Sequence, residues 1–133
     1  AIGAGISTGR GYGQSAQAAL ITRGFVELQA LVVASGGRAE TTMGLSGLGD
    51  LMLTASSSQS RNYAYGLAVG HAEDLEDRPL AEGVRTASVA VSMANSLGVE
   101  APIMEAISAI LDGELAIEDA ASALLQRTLR SEV

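Results

Sequence analysis

The chain of 133 residues contains no cysteine and no lysine, since all eight of its basic residues are arginines. The absence of cysteine excludes a disulfide and a thiolate metal site, and it leaves the redox compartment open. The absence of lysine excludes amine chemistry supplied from within this chain. The single histidine, His71, follows a helical pattern and is typical of a solvated helix end. Catalysis by a cysteine or a lysine of this chain is therefore excluded, and catalysis by its histidine is disfavoured.

Aromatic residues and positive charge are also scarce. One phenylalanine and three tyrosines are the only aromatics, while 47% of the residues are hydrophobic, which predicts an aliphatic, alanine-rich core. The net charge of −7 disfavours nucleic acid and anionic membranes as partners, because both attract basic faces. No uninterrupted apolar run reaches the length of a membrane span, and no signal peptide is recognisable. We therefore expect neither a nucleic-acid nor a membrane partner.

Apolar residues recur at three- and four-residue steps through most of the chain, which is typical of amphipathic helices. The predicted helices cover 14–35, 39–43, 51–55, 61–69, 82–97, 102–111 and 116–129, after a buried element at 1–6. The longest, 14–35, lacks a clean polar face and is expected to be the central helix, with Gly24 allowing close packing. No strand-like alternation occurs, so the sequence predicts one all-α, bundle-like domain over residues 1–133, with about seven or eight helices.

The stretch 44–62 holds the residues best suited to chemistry. Three glycines allow tight backbone turns before its single carboxylate, Asp50. Ser60 can cap a helix that begins at Arg61, where the helix dipole disfavours a cation unless an anion such as phosphate offsets it. An arginine fork suits an oxyanion, and a carboxylate suits hydroxyl groups. The stretch indicates a site for a small phosphorylated, hydroxylated molecule, or else two helix caps and a surface arginine.

Two other polar stretches are interpreted as surface loops. The glycines of Ser7–Gly13 lack the spacing of a dinucleotide-binding fingerprint, and no clear strand precedes them. The acidic residues of 71–77 do not have the spacing of an EF-hand, so we expect no metal site. The apolar opening at Ala1 has no preceding cap, and we expect the chain to be a piece of a longer protein.

Five segments, in this order and spacing, closely resemble the C-terminal half of bacterial NAD(P)-dependent glycerol-3-phosphate dehydrogenases: Ala4–Ile6, Ala18–Gly24, Gly47–Leu51, Gln59–Asn62 and Glu82–Thr86. The resemblance runs over essentially the whole chain. It implies the helical substrate domain of a two-domain dehydrogenase, whose N-terminal Rossmann domain is absent here.

The resemblance also implies an activity. The family transfers a hydride between NAD or NADP, bound mainly by the absent domain, and dihydroxyacetone phosphate to give sn-glycerol 3-phosphate for glycerophospholipid synthesis. We expect a cytoplasmic homodimer, because the apolar excess must be covered. Two alternatives remain open: another two-domain dehydrogenase acting on a hydroxy acid, and a non-catalytic helical dimerisation module.

Site residues follow from the resemblance position by position. The family's substrate contacts fall on Asp50, Thr54, Ser60, Arg61 and Asn62, and its cofactor contacts on Arg61, Leu80 and Glu82. Its general acid–base lysine falls about three residues upstream of Ala1, so no catalytic residue is expected in this chain. We therefore predict that residues 1–133 alone are inactive.

Three departures from the family pattern stand out, and one of them is Leu80, which occupies a position where the family usually has valine. Ser15 occupies a position where the family commonly has asparagine, which puts any contact made by that amide in doubt. The segment between Gly70 and Glu82 is several residues shorter than usual and more acidic.

Overall fold

The structure, a computed structural model, describes the backbone of residues 1–79 and 81–131 and the side chains of residues 1–79 and 81–124. Its helices are α1 (Ile2–Gly9), α2 (Gly13–Ala34), α3 (Ala39–Thr42), α4 (Asp50–Thr54), α5 (Arg61–Gly70), α6 (Glu82–Leu97), α7 (Pro102–Leu111) and α8 (Ile117–Ser131), with a π-helical turn at Leu45–Gly49 between α3 and α4. The described residues contain no strand, which confirms the all-α prediction.

Most predicted helix ends are confirmed because their signals are local. Ser60 caps α5 by accepting a hydrogen bond from the Tyr63 N–H at 3.3 Å. Gly98 ends α6 in the left-handed region, with φ +69°. Pro102 opens α7 in its first turn, where its missing N–H costs nothing. No helix was predicted directly before Asp50. In the structure, residues 45–49 form a π-helical turn that runs directly into α4.

The centre of the domain is the short helix α1. Its residues 2–7 are all buried, and it packs closely against α5. The two helices meet at glycines, with Gly5 and Gly9 of α1 facing Gly66 and Gly70 of α5. Because neither helix carries a Cβ at these positions, the two backbones come into direct contact.

Gly66→Ala is expected to lower the free energy of unfolding by roughly 1–3 kcal/mol, because overpacking displaces neighbouring groups. The added Cβ would collide with the Ile2 carbonyl, which is backbone and cannot rotate away. Urea denaturation followed by far-ultraviolet circular dichroism measures the change.

Gly24→Ala in α2 is the matched control for that substitution. A Cβ at Gly24 would lie 3.9 Å from Ile103 Cγ2, an ordinary van der Waals distance, so the expectation of close packing at Gly24 was wrong. This change should raise the free energy of unfolding by about 0.5–1 kcal/mol, since alanine favours a helix interior. Equal destabilisation by the two substitutions would contradict a backbone contact at Gly66.

The expectation that α2 is the central helix, buried on most sides, was wrong. Only Glu27 and Leu31 are buried in α2, while Val26 and Val33 are 58% and 49% exposed. The glycine-rich α1 can lie deeper between its neighbours than a helix with larger side chains. It therefore takes the central place, and α2 covers it from one side.

In the part of the chain that the structure describes, α2 is long and apolar enough to cross a membrane, with a mean hydropathy of 1.2. Polar residues interrupt the helix, among them Arg23 and Glu27, so it is not an uninterrupted apolar run. Only 11% of its most apolar window is buried. A single helix of this kind is weak evidence, because core helices of soluble proteins pass the same test.

A buried carboxylate of α2 caps the start of α7. Glu27 is 7% exposed, and its Oε1 and Oε2 accept hydrogen bonds from the N–H groups of Ile103 (2.6 Å) and Met104 (3.0 Å). The residue before α7, Ala101, has no side chain that could do this. Glu27 therefore satisfies two of the N–H groups that every helix start leaves unpaired.

Candidate functional site

Arg61 is the first residue of α5. Its side chain is exposed, and it forms no ion pair with any side chain among residues 1–79 and 81–124. Ser60, directly before it, holds the helix start through its bond to Tyr63. A free guanidinium thus lies where the helix dipole is positive and where a cation is disfavoured. A bound anion would reverse that disadvantage.

Asn62 connects the starts of two helices. Its Oδ1 accepts a hydrogen bond from the Gly83 N–H at 2.9 Å, which ties α5 to the first turn of α6. Both residues line an open, largely apolar cleft of about 410 Å³, which Ala1, Thr86 and Met93 also line. Asn62 is thus both a structural tie and a polar group on a cleft.

Asp50 opens α4 directly after the π-helical turn. Gly49, not Asp50, lies at the N-cap position, and no side chain makes a capping bond there. The interpretation of Asp50 as a helix cap was therefore wrong. Its carboxylate is exposed and forms no hydrogen bond or ion pair with a described residue, so it can accept hydrogen bonds from a ligand.

Thr54 lies one turn after Asp50 on the same helix. Its hydroxyl donates to the Asp50 carbonyl at 2.9 Å, so the hydroxyl proton is engaged within α4. The remaining lone pairs of the oxygen can accept a hydrogen bond from a bound group.

Tyr63 brings the two halves of the site together. Its ring packs with Ala4 and Ala55 in one core cluster, and Leu51 packs against that cluster. Its hydroxyl donates to Thr8 Oγ1 at 3.0 Å. Because Leu51 belongs to α4 and Ala55 directly follows it, this cluster joins the helix of Asp50 to the helix of Arg61. This role of Tyr63 was not predicted from the sequence, although aromatic residues are scarce and Tyr63 directly follows Asn62.

Of the remaining predicted site residues, the described part of the chain includes Glu82, at the start of α6. Glu82 is exposed in the first turn, where the helix dipole favours a carboxylate, and it precedes the Gly83 bonded to Asn62. Leu80 lies outside the described residues. Ser15, the departure from the family pattern, is exposed near the start of α2. The described residues contain no group of three or more side chains suited to holding a metal.

A family model described as the C-terminus of NAD-dependent glycerol-3-phosphate dehydrogenase matches residues 1–122. The chain belongs to this family.

Individual relatives agree with that assignment. The chain is 60% identical over 132 residues to the glycerol-3-phosphate dehydrogenase [NAD(P)+] of Brucella ovis, and 57% identical to that of Mesorhizobium japonicum. Both matches cover 99% of this chain, but only 40% and 38% of the relatives. The chain therefore spans about two fifths of the length of these curated relatives.

A solved structure has the same fold. The crystal structure of glycerol-3-phosphate dehydrogenase from Coxiella burnetii superposes with a TM-score of 0.87 at 39% sequence identity. The match covers 93% of this chain and 40% of that one. The helical arrangement described above thus recurs in about two fifths of that longer chain.

Proposed function

We propose that this chain is the substrate-binding domain of an NAD(P)-dependent glycerol-3-phosphate dehydrogenase. Its substrates would be dihydroxyacetone phosphate and sn-glycerol 3-phosphate. The family membership and the names of the relatives support the reaction class. The relatives are two and a half times longer, which agrees with a second domain that binds the dinucleotide.

The observation that carries the proposal is the state of Arg61. It is an exposed guanidinium at a capped helix start, with no carboxylate partner among the described side chains. The planar fork of its N–H donors matches the geometry of a phosphate group. We assign the substrate phosphate to Arg61, with Ser60 and Asn62 beside it.

The substrate hydroxyls would then be bound by residues of α4. The free carboxylate of Asp50 would accept their hydrogen bonds, and the Thr54 hydroxyl, which donates to the Asp50 main-chain carbonyl, would accept one with its remaining lone pairs. The acid–base lysine that the family implies lies outside this chain, which contains none. The work of this domain is to bind and orient the substrate.

Two of the residues present, Glu82 and Arg61, are suited to contacting part of a bound dinucleotide. Glu82 offers an exposed carboxylate at the start of α6, and Arg61 offers unpaired donors. Carboxylate acceptors suit hydroxyl and amide groups, and guanidinium donors suit phosphate or carbonyl oxygens. NAD or NADP, when bound, supplies or accepts the hydride. The contact predicted for Leu80 stays a prediction from the sequence.

We place the enzyme in the cytoplasm, where its product would feed glycerophospholipid synthesis. We expect a homodimer, because Val26, Val33 and Val89 expose apolar surface on α2 and α6. Light scattering on the full-length protein tests the dimer, and a monomeric mass would contradict it.

The full-length protein should oxidise NADH or NADPH in the presence of dihydroxyacetone phosphate, measured by the loss of nicotinamide absorbance. A panel of 2-hydroxy and 3-hydroxy acids tests the alternative dehydrogenase. Residues 1–133 alone should show no turnover under the same conditions. Activity of the isolated domain, or a preference for a hydroxy acid, would contradict the proposal.

A further inference from the structure

Residues 39–55, here called the α3–α4 arm, carry Asp50 and Thr54 but contribute little to the core. Only Thr42 and Ala55 are buried within the arm. Several of its larger side chains are exposed, among them Leu45 at 91% and Leu53 at 73%. The arm is therefore anchored at two buried points, Thr42 near its start and Ala55 at its end, with Leu51 packed beside Ala55.

Each of these two points is held by a glutamine of α2. Gln29 Nε2 donates to Thr42 Oγ1 at 3.0 Å and to the Ala39 carbonyl at 3.3 Å. Gln17 Nε2 donates to the Ala55 carbonyl at 3.1 Å, across 38 residues of sequence. The two glutamines are twelve residues apart on one continuous helix, which separates them by about 18 Å along a rigid axis.

The position of Asp50 follows from these two attachments. The arm runs from Thr42 into the π-helical turn, where Gly47 lies against the backbone of Thr42 so closely that a Cβ would collide with its carbonyl. From Asp50 the short helix α4 leads to Ala55, whose N–H bonds the Leu51 carbonyl at 2.8 Å. A shift at either end of the arm therefore moves the carboxylate between them.

We propose that Gln17 and Gln29 are positioning residues that hold the Asp50 carboxylate in place for the substrate hydroxyls. This inference rests on the proposed function, in which Asp50 contacts substrate. Neither glutamine touches the ligand; each acts through the arm. The side-chain amide of Gln17 is suited to this role because the Ala55 carbonyl oxygen can only accept a hydrogen bond. Its partner must therefore be a donor on a side chain as long as that of glutamine.

The test uses the full-length enzyme with three variants. Gln17→Glu keeps the shape but replaces the donor by a carboxylate that repels the Ala55 carbonyl. Gln17→Lys restores a donor of similar reach. Gln14→Ala changes an exposed glutamine of α2 that has no hydrogen bond to a described residue, and it serves as the control.

Gln17→Glu should lower kcat/KM for dihydroxyacetone phosphate by about tenfold, because misplacing a contact group by a fraction of an ångström weakens catalysis steeply. The KM for substrate should rise while the KM for the dinucleotide stays constant. Gln17→Lys should restore the parent value to within about twofold, and Gln14→Ala should match the parent. A merely structural role would lower the melting temperature without moving the substrate KM, and that result would overturn the inference.

Asp50→Asn, measured in parallel, separates two failures. If Asp50→Asn leaves the substrate KM unchanged, the proposed substrate site is wrong. If Asp50→Asn impairs the enzyme and Gln17→Glu does not, the proposed site stands and only the positioning role is overturned. Should Gln17→Glu fail to fold, Gln17→Met removes the donor at similar volume, and the same readouts apply.

Discussion

Arg61→Ala in the full-length enzyme is expected to raise the KM for dihydroxyacetone phosphate by about 10- to 150-fold, since a charge-assisted contact contributes roughly 1.5–3 kcal/mol. The guanidinium is exposed at the start of α5 and unpaired among the described side chains, so its removal breaks no ion pair with any of them. The loss should therefore appear in substrate binding and not in stability. Steady-state kinetics and a thermal melt together measure it.

Two further variants sharpen this prediction. Arg61→Lys keeps the charge but loses the planar fork, so it should recover only part of the affinity. Arg38→Ala removes the same charge from the N-cap of α3, where the exposed arginine lies 3.8 Å from Glu40. It should leave the KM near that of the parent. An unchanged KM in Arg61→Ala would refute the phosphate role.

Glu27→Ala is expected to lower the free energy of unfolding by about 2–6 kcal/mol, because each buried donor left without a partner costs about 1–3 kcal/mol. Both carboxylate oxygens of Glu27 accept backbone N–H groups at the start of α7. Glu27 and Ile103 are only 7% and 5% exposed, so bulk water reaches this helix start poorly. Urea denaturation followed by circular dichroism gives the change.

Glu27→Gln separates the contributions of the two hydrogen bonds to stability. Glu27→Gln retains one acceptor oxygen and the shape of the side chain, so it should lose about half as much stability as Glu27→Ala. Glu114→Ala, at an exposed position after α7, is the control and should stay within about 0.5 kcal/mol of the parent. A Glu27→Ala protein as stable as that control would contradict the capping role.

The sequence by itself determined the helical class, most helix ends and the best candidate residues. Ser60, Gly98 and Pro102 act on their own backbone or on the next few residues, so their effects can be read without knowing what lies across the fold. Arg61 could be singled out for the same reason, because a cation in a first turn is unfavourable in any helix.

Only the tertiary structure decided which helix lies at the centre and how the site is held. Periodicity marks α2 as apolar but cannot tell that α1, whose glycines meet those of α5, is narrow enough to lie deeper. The hydrogen bonds of the Glu27, Gln17 and Asn62 side chains join residues that are 76, 38 and 21 positions apart in the sequence, respectively. A hydrogen bond of this kind depends on the path of the chain between its ends, and no local pattern records that path.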